Sequence, residues 1–279
     1  MILEKTIKQA SQLLKNKNII SHELDAQVIL SDIMGVTRDF FITNSHIKVS
    51  KNTIKKFNYA IRRRIKREPV AYIIGKKEFW SQDFVVNQTT LVPRPETELL
   101  IYKVIDFFRN KRINILDIGT GSGCILLSIL KELVHSRGVG IDVSAKAIKT
   151  AQFNSCNLNL LHRSKFKVFD VGKFNIGKYD LIISNPPYIP SKDIKNLSKD
   201  IINYEPLVAL NGGVNGLDLI KKVIYSSNSL LKKNGLLVIE IGSNQYLKVS
   251  SLLRQQGFRE ISRQCDYNHN VRCIISTKV

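Results

Sequence analysis

The segment YDLIISNPPYIP, residues 179–190, sets Asn185, Pro186, Pro187 and Tyr188 directly after a run of apolar, β-prone residues. An asparagine and two prolines after a strand can be no more than a turn. The same four residues can also act on a planar NH2 group attached to an sp2 carbon, as in a carboxamide or an adenine. The lone pair of such a nitrogen is delocalised, which makes it a poor nucleophile. The Asn185 side-chain oxygen and the Pro186 carbonyl form an acceptor pair that would take both N–H bonds and aim the nitrogen at an electrophilic carbon. Those contacts strengthen as positive charge builds on nitrogen, where stabilisation raises the rate. Pro187 fixes its own φ and restricts Pro186 toward extended geometry, and the Tyr188 ring can lie against the flat face of the substrate group. Asn185, Pro186 and Tyr188 are the candidate catalytic residues, and residues 185–188 the candidate substrate-binding turn.

A candidate electrophile comes from LDIGTGSGC, residues 116–124. Gly119, Gly121 and Gly123, with Thr120 and Ser122 between them, permit a tight turn and let a ligand approach backbone. Many nucleotide-binding folds share that feature. The dinucleotide fingerprint would need glycine at position 124, where Cys124 stands. Asp117, at the end of the first strand, would oppose a pyrophosphate and suit a cationic amino group. Asp142 ends the next strand, placed to accept from ribose hydroxyls. An adenosine that carries an amino-acid cation, S-adenosylmethionine, satisfies all three conditions. Asp170 ends the third strand, where adenine would lie, and Val171 beside it offers apolar contact. Blander roles remain open: Asp117 as a turn former, Asp142 as a helix flank, Asp170 in a solvated loop. The candidate cofactor-binding residues are thus Asp117, Gly119, Thr120, Gly121, Ser122, Gly123, Asp142, Asp170, Val171 and Asn185.

These residues need a scaffold. Residues 1–75 read as helical, with Gly35 a C-cap and Ser50 an N-cap. Residues 76–95 alternate in β fashion and are expected to form a β-hairpin linker. From residue 96 to 279 strands and helices alternate, with Ser144 capping one helix. That pattern predicts an α/β fold, a mostly parallel, Rossmann-like sheet with ligands at its carboxyl edge, behind a small helical N-terminal domain. Asn185 should then emerge beside the glycine loop.

Lys and Arg number 43 against 23 Asp and Glu, a net charge of +20. Such an excess suits a polyanionic partner or reflects drift in a chain rich in Lys, Asn and Ile. The dense cluster IRRRIKRE, residues 61–68, places Ile61 and Ile65 one helical turn apart, so its charges read mostly as a solvated helix face. Drift is the preferred reading, and direct nucleic-acid binding is not favoured. No apolar run approaches the roughly 18 residues of a membrane span, and the amphipathic start is unlike a secretion signal. Cys124, Cys156, Cys265 and Cys273 are scattered, as are the five histidines. Neither a disulfide framework nor a metal site is expected, and the cytoplasm is the expected location.

Four segments in order, LVPRPETELL (91–100), DIGTGSGCI (117–125), SNPPYIP (184–190) and YEPLVALNGGVNGLD (204–218), together with REPVAYIIGKKEF ahead of the hairpin, resemble the peptide chain release factor glutamine methyltransferases of the PrmC/HemK type. The resemblance spans nearly the whole chain. It implies a class I S-adenosylmethionine-dependent methyltransferase that methylates the glutamine of the Gly-Gly-Gln motif in release factors. By matched position, residues 119–123 form the cofactor loop, Asp142 meets the ribose, and Asn185 serves cofactor and substrate. Residues 185–188 would hold the glutamine, the helical part would dock the release factor, and a monomer is expected. PRPETE resembles a pocket-lining turn, although Arg94 and Glu98 could equally cap the next helix. Val171 stands where some relatives carry an aromatic, and Asn215 where an acidic residue is common. Three alternatives stay open: glutamine methylation of a large-subunit ribosomal protein, adenine-N6 methylation of DNA or RNA, and a non-catalytic RNA- or ribosome-binding protein on the same fold.

Overall fold

The computed structural model describes residues 1–278. It divides the chain into two compact units, one formed by Met1–Lys76 with Ser198–Tyr204, the other by Lys77–Leu197 with the chain from Glu205 onward. The first is helical: α1 (Leu3–Lys15), α2 (His22–Met34), α3 (Phe40–Thr43), α4 (Lys51–Ile65) and α5 (Val70–Ile74). Leu3, Leu14, Ile29, Leu30, Phe57 and Ile61 build its core. Gly35 ends α2 in the left-handed region at φ 68°, and Ser50 Oγ accepts from the Thr53 N–H at the start of α4 (3.1 Å).

The arginine cluster is only in part a solvated face: Arg62 and Lys66 are exposed, but its other charges turn inward. Arg64 is buried, donating from Nε to Asp25 Oδ2 (2.6 Å) and from Nη1 to Asp200 Oδ2 (2.7 Å) and the Glu68 carbonyl (3.1 Å). Arg63 grips Glu68 through two bonds of 2.6 and 2.7 Å. Position 64 lies three residues after Ile61 and seven after Phe57, on the inward side of α4, and only paired acids make a buried guanidinium tolerable there. Asp200 comes from α9 (Lys199–Ile202), a short helix of the Ser198–Tyr204 segment.

The second unit begins with a hairpin of β1 (Lys76–Phe79) and β2 (Gln82–Val85), shorter than the span expected for a linker. Trp80 and Ser81 turn it, both at positive φ (50° and 54°). From Lys77 onward this hairpin belongs to the second unit instead of standing apart. Phe79 and Phe84 meet edge to face, 6.2 Å between centroids, in a core shared with Leu100, Ile101 and Leu127. The Trp80 N–H donates to Glu98 Oε1 and its indole to Glu132 Oε1, both at 2.8 Å. Glu98 therefore anchors the hairpin turn and does not cap its helix.

Seven strands follow: β3 (Asn114–Ile118), β4 (Arg137–Asp142), β5 (Ser164–Val168), β6 (Tyr179–Ser184), β7 (Leu231–Glu240), β8 (Phe258–Cys265) and β9 (Val271–Lys278). They are ordered β5-β4-β3-β6-β7-β9-β8 in one sheet, parallel except for β9, which runs antiparallel to both its neighbours. Helix α6 (Glu98–Phe108) precedes the sheet, and α7 (Cys124–Glu132), α8 (Ala145–Asn157), α10 (Asp218–Leu230) and α11 (Tyr246–Gln255) lie in the connections between its strands. The chain winds outward from β3 to β5, then returns to β6 on the other side of β3. Loops after β3 and β6 therefore diverge over one crevice, the position where open α/β sheets bind ligands. Ile118 pairs with Ser184 in register, so the glycine loop and Asn185 leave adjacent strands at the same level.

Candidate active site

Gly119, Gly121 and Gly123 all adopt positive φ (74°, 55° and 81°), where side chains are strained. A Cβ on Gly119 would meet nothing within 4 Å, whereas one on Gly123 would press Ala151, Leu127 and Phe166 at 3.2–3.3 Å. The loop thus offers backbone to open space at its start and packs tightly on α7 and α8 at its end. Gly119, Thr120, Gly121 and Ser122 line a cleft, and Gly123 does not.

Asp117 also stays off the cleft wall. It is wholly buried, and its Oδ2 accepts from the Thr120 hydroxyl at 2.6 Å. Strand alternation turns it, like Ile115, toward the face covered by α7. Through Oδ2 it supports the loop from beneath, while its buried Oδ1 has no partner among the described residues. Burial raises its carboxyl to about 7.

Asp142 does line the cleft. Its Oδ2 accepts from Gly121 N–H (3.0 Å) and its Oδ1 from Ser144 N–H (2.8 Å). Those bonds lock the carboxylate in place and leave each oxygen a lone pair for a hydroxyl donor. Burial pushes its pKa up, opposed by the same backbone bonds. Asp170 is exposed, with Oδ1 accepting from Gly172 N–H (2.7 Å), so it forms a turn away from the cleft wall. Val171 is buried on that wall, and Phe169, two residues earlier, lines it too. Phe169 meets Phe174 edge to face at 5.3 Å. An aromatic thus stands on the cleft wall two residues before Val171.

The opposite wall comes from Thr89, Leu91, Pro93, Arg94 and Thr97, and from Pro206, Val208 and Ala209. Arg94 pairs with the buried Glu205 at 2.5 Å, and Glu205 Oε2 accepts from Val92 N–H at 3.4 Å. PRPETE is therefore a wall of the cleft, fastened to the segment that begins YEP.

Asn185 is half-buried on the cleft wall beside Pro187. Its Nδ2 donates to Thr97 Oγ1 at 3.1 Å, and among the described residues no donor reaches its Oδ1. Pro186 is buried, and neither it nor Tyr188 is part of the cleft lining. The Tyr188 hydroxyl donates to Glu240 Oε1 (3.3 Å) and accepts from Arg272 Nη2 (3.0 Å), with the guanidinium 5.5 Å from the ring centroid. Thr97 Oγ1 donates to Glu240 Oε2 at 2.8 Å. Glu240 is almost wholly buried, and burial raises its pKa to about 7. Sequence reasoning missed Glu240, Thr97, Arg272, Phe169 and Glu205. One signal was available: the run LLVIEIG sets a carboxylate inside an otherwise apolar strand.

The donor set fits an adenosyl sulfonium compound. Apolar walls flank one fixed carboxylate, the loop presents backbone, and the Asn185 amide lies on the same wall. Cys124 on the wall has its thiol pushed up to about 12 by burial, so it is no nucleophile.

Comparison with known proteins places this geometry in context. The family described as the PrmC N-terminal domain matches residues 5–75, and one described as a methyltransferase domain matches residues 109–278. A release factor glutamine methyltransferase of Caulobacter vibrioides is 35% identical over 280 residues, spanning 100% of this chain and 97% of that protein. One from Buchnera aphidicola subsp. Schizaphis graminum is 40% identical over 254 residues, spanning 91% and 92%. Among solved structures, the hMettl16 catalytic domain, in complex with the MAT2A 3'UTR hairpin 6, shares the fold with a TM-score of 0.60 at 16% identity, covering 89% of this chain and 92% of that one. With both domains in this order and end-to-end likeness to those enzymes, the chain belongs to the release factor glutamine methyltransferase family.

Proposed function

We propose that the protein methylates the side-chain amide nitrogen of the Gly-Gly-Gln glutamine in peptide chain release factors, with S-adenosylmethionine as methyl donor. The observation that carries this reading is the half-buried Asn185 amide on the cleft wall, tied back through Nδ2 with no donor on Oδ1 among the described residues, in a chain that matches such enzymes end to end. When bound, the cofactor supplies an electrophilic methyl group on a sulfonium. Asp142 would hold its ribose, Phe169, Val171 and Leu219 would flank its adenine, and the backbone of residues 119–122 would face its amino-acid end; all of these residues line the cleft. Asn185 Oδ1 and the Pro186 carbonyl accept the two N–H bonds of the substrate carboxamide and orient its nitrogen for in-line attack. Both acceptors gain strength as the nitrogen becomes cationic. The alkylated amide is acidic and gives its extra proton to water, so no strong base is needed. Tyr188, outside the cleft lining, anchors the end of the turn through Glu240 and Arg272, and the helical unit docks the release factor.

The test is methyl transfer from labelled S-adenosylmethionine to separate pools of release factor, ribosomal protein, DNA and RNA, with mass spectrometry of the product. Label should appear on the motif glutamine alone and vanish when that glutamine is replaced. Asn185→Ala should lower kcat by about 10²–10³. Label on adenine or on a ribosomal protein would refute the proposed substrate.

A further inference from the structure

A hydroxyl has one proton to give. Thr97 gives it to Glu240 Oε2, so toward Asn185 it can only accept, and the group facing it has to be the amide NH2. Asn185 Oδ1 is thereby turned to the cleft. The reversed amide would set Oδ1 against the Thr97 lone pairs with no proton between them, and would present NH2 to the substrate's own NH2. The direction of this chain begins at Glu240, whose carboxylate, once ionised above about pH 7, can only accept. The same carboxylate takes the Tyr188 proton, while Arg272 fills the acceptor side of that hydroxyl. One buried acid therefore grips both ends of the Asn-Pro-Pro-Tyr turn. The other titratable or charged groups around it are Glu96 on the turn that carries Thr97, and Arg272 and Cys273 on β9.

We infer that Glu240 is a positioning residue that sets, through Thr97, which end of the Asn185 amide faces the substrate, and holds, through Tyr188, the far end of the turn. This deepens the proposed function and rests on it. Glu240 itself touches neither substrate nor cofactor. Its isosteric amide would break the logic: a Gln at 240 can offer NH2 to Thr97, whose proton is then free to bond Asn185 Oδ1 and reverse the amide.

The experiment compares Glu240→Gln, Thr97→Val and Thr97→Ser with the wild-type enzyme in steady-state methylation of whole release factor, with cofactor affinity measured separately by calorimetry. Glu240→Gln and Thr97→Val should lose about 10- to 100-fold in kcat, with KM and cofactor Kd within about twofold. Thr97→Ser restores the hydroxyl and should recover most of the rate. Unchanged kcat in Glu240→Gln and Thr97→Val, beside an active wild type, overturns the positioning role alone. A loss that appears equally in cofactor Kd or as unfolding, or one that Thr97→Ser fails to recover, also overturns it. Absence of glutamine methylation by the wild-type enzyme overturns the functional reading as well.

Discussion

The Glu240 carboxyl titrates near 4.5 in an unfolded chain, and burial raises it to about 7 in the fold. Between those values the folded protein holds a proton that the unfolded chain has released. Stability is therefore fully present below about pH 4.5, falls as the pH rises through about 7, and is level above it. At about 1.4 kcal/mol per pH unit, this one group removes roughly 3 kcal/mol. That is a large fraction of the roughly 5–15 kcal/mol that stabilises an ordinary domain. Gln at this position cannot ionise. Glu240→Gln should be more stable than wild type by up to ~3 kcal/mol at pH 8.5, with most of that advantage gone at pH 5. Urea unfolding of the full chain at both pH values measures the difference. Trp80, the single tryptophan, reports on the second unit through its bonds to Glu98 and Glu132. Asp117, also raised to about 7, adds a slope of the same sign to both proteins, so only their difference is read. The variant should gain stability and lose methylation at pH 8.5, as expected where a costly buried charge serves activity. Parallel stability curves from pH 5 to 8.5 would refute this account of Glu240.

Three further outcomes follow from the geometry. Asp142→Asn should weaken cofactor binding about 10- to 100-fold, since bonds to a charged acceptor are worth roughly 1.5–3 kcal/mol, and calorimetry that shows unchanged affinity would remove the ribose role. Phe169→Ala should lower cofactor affinity by several fold in the same measurement, while Asp170→Ala, outside the cleft wall, should not. Arg64→Met leaves Asp25 buried without its cation and should destabilise the helical unit by about 3–5 kcal/mol; undiminished hydrogen-exchange protection in α2 and α4 would contradict that.

Local spacing alone reaches far into this protein. Alternating strands and helices define the layered fold, glycines at 119, 121 and 123 place a loop after the first strand, and Asn-Pro-Pro-Tyr marks a turn beside it. Cap residues Gly35, Ser50 and Ser144 are legible because capping acts within one helical turn. Other features depend on partners distant in the chain. Arg64 reads as surface charge until Asp25 and Asp200 are brought to it. Asp117 and Asp142 look alike in sequence, yet strand alternation and helix packing bury one beneath the loop and open the other to the cleft. The Glu240 network joins residues 97, 185, 188, 240 and 272, whose side chains meet only after β6, β7 and β9 are laid side by side. Sequence patterns carry short-range geometry and average burial. The direction of a hydrogen-bond chain, and with it the face that Asn185 shows to a substrate, exists only once the sheet has closed around a buried charge.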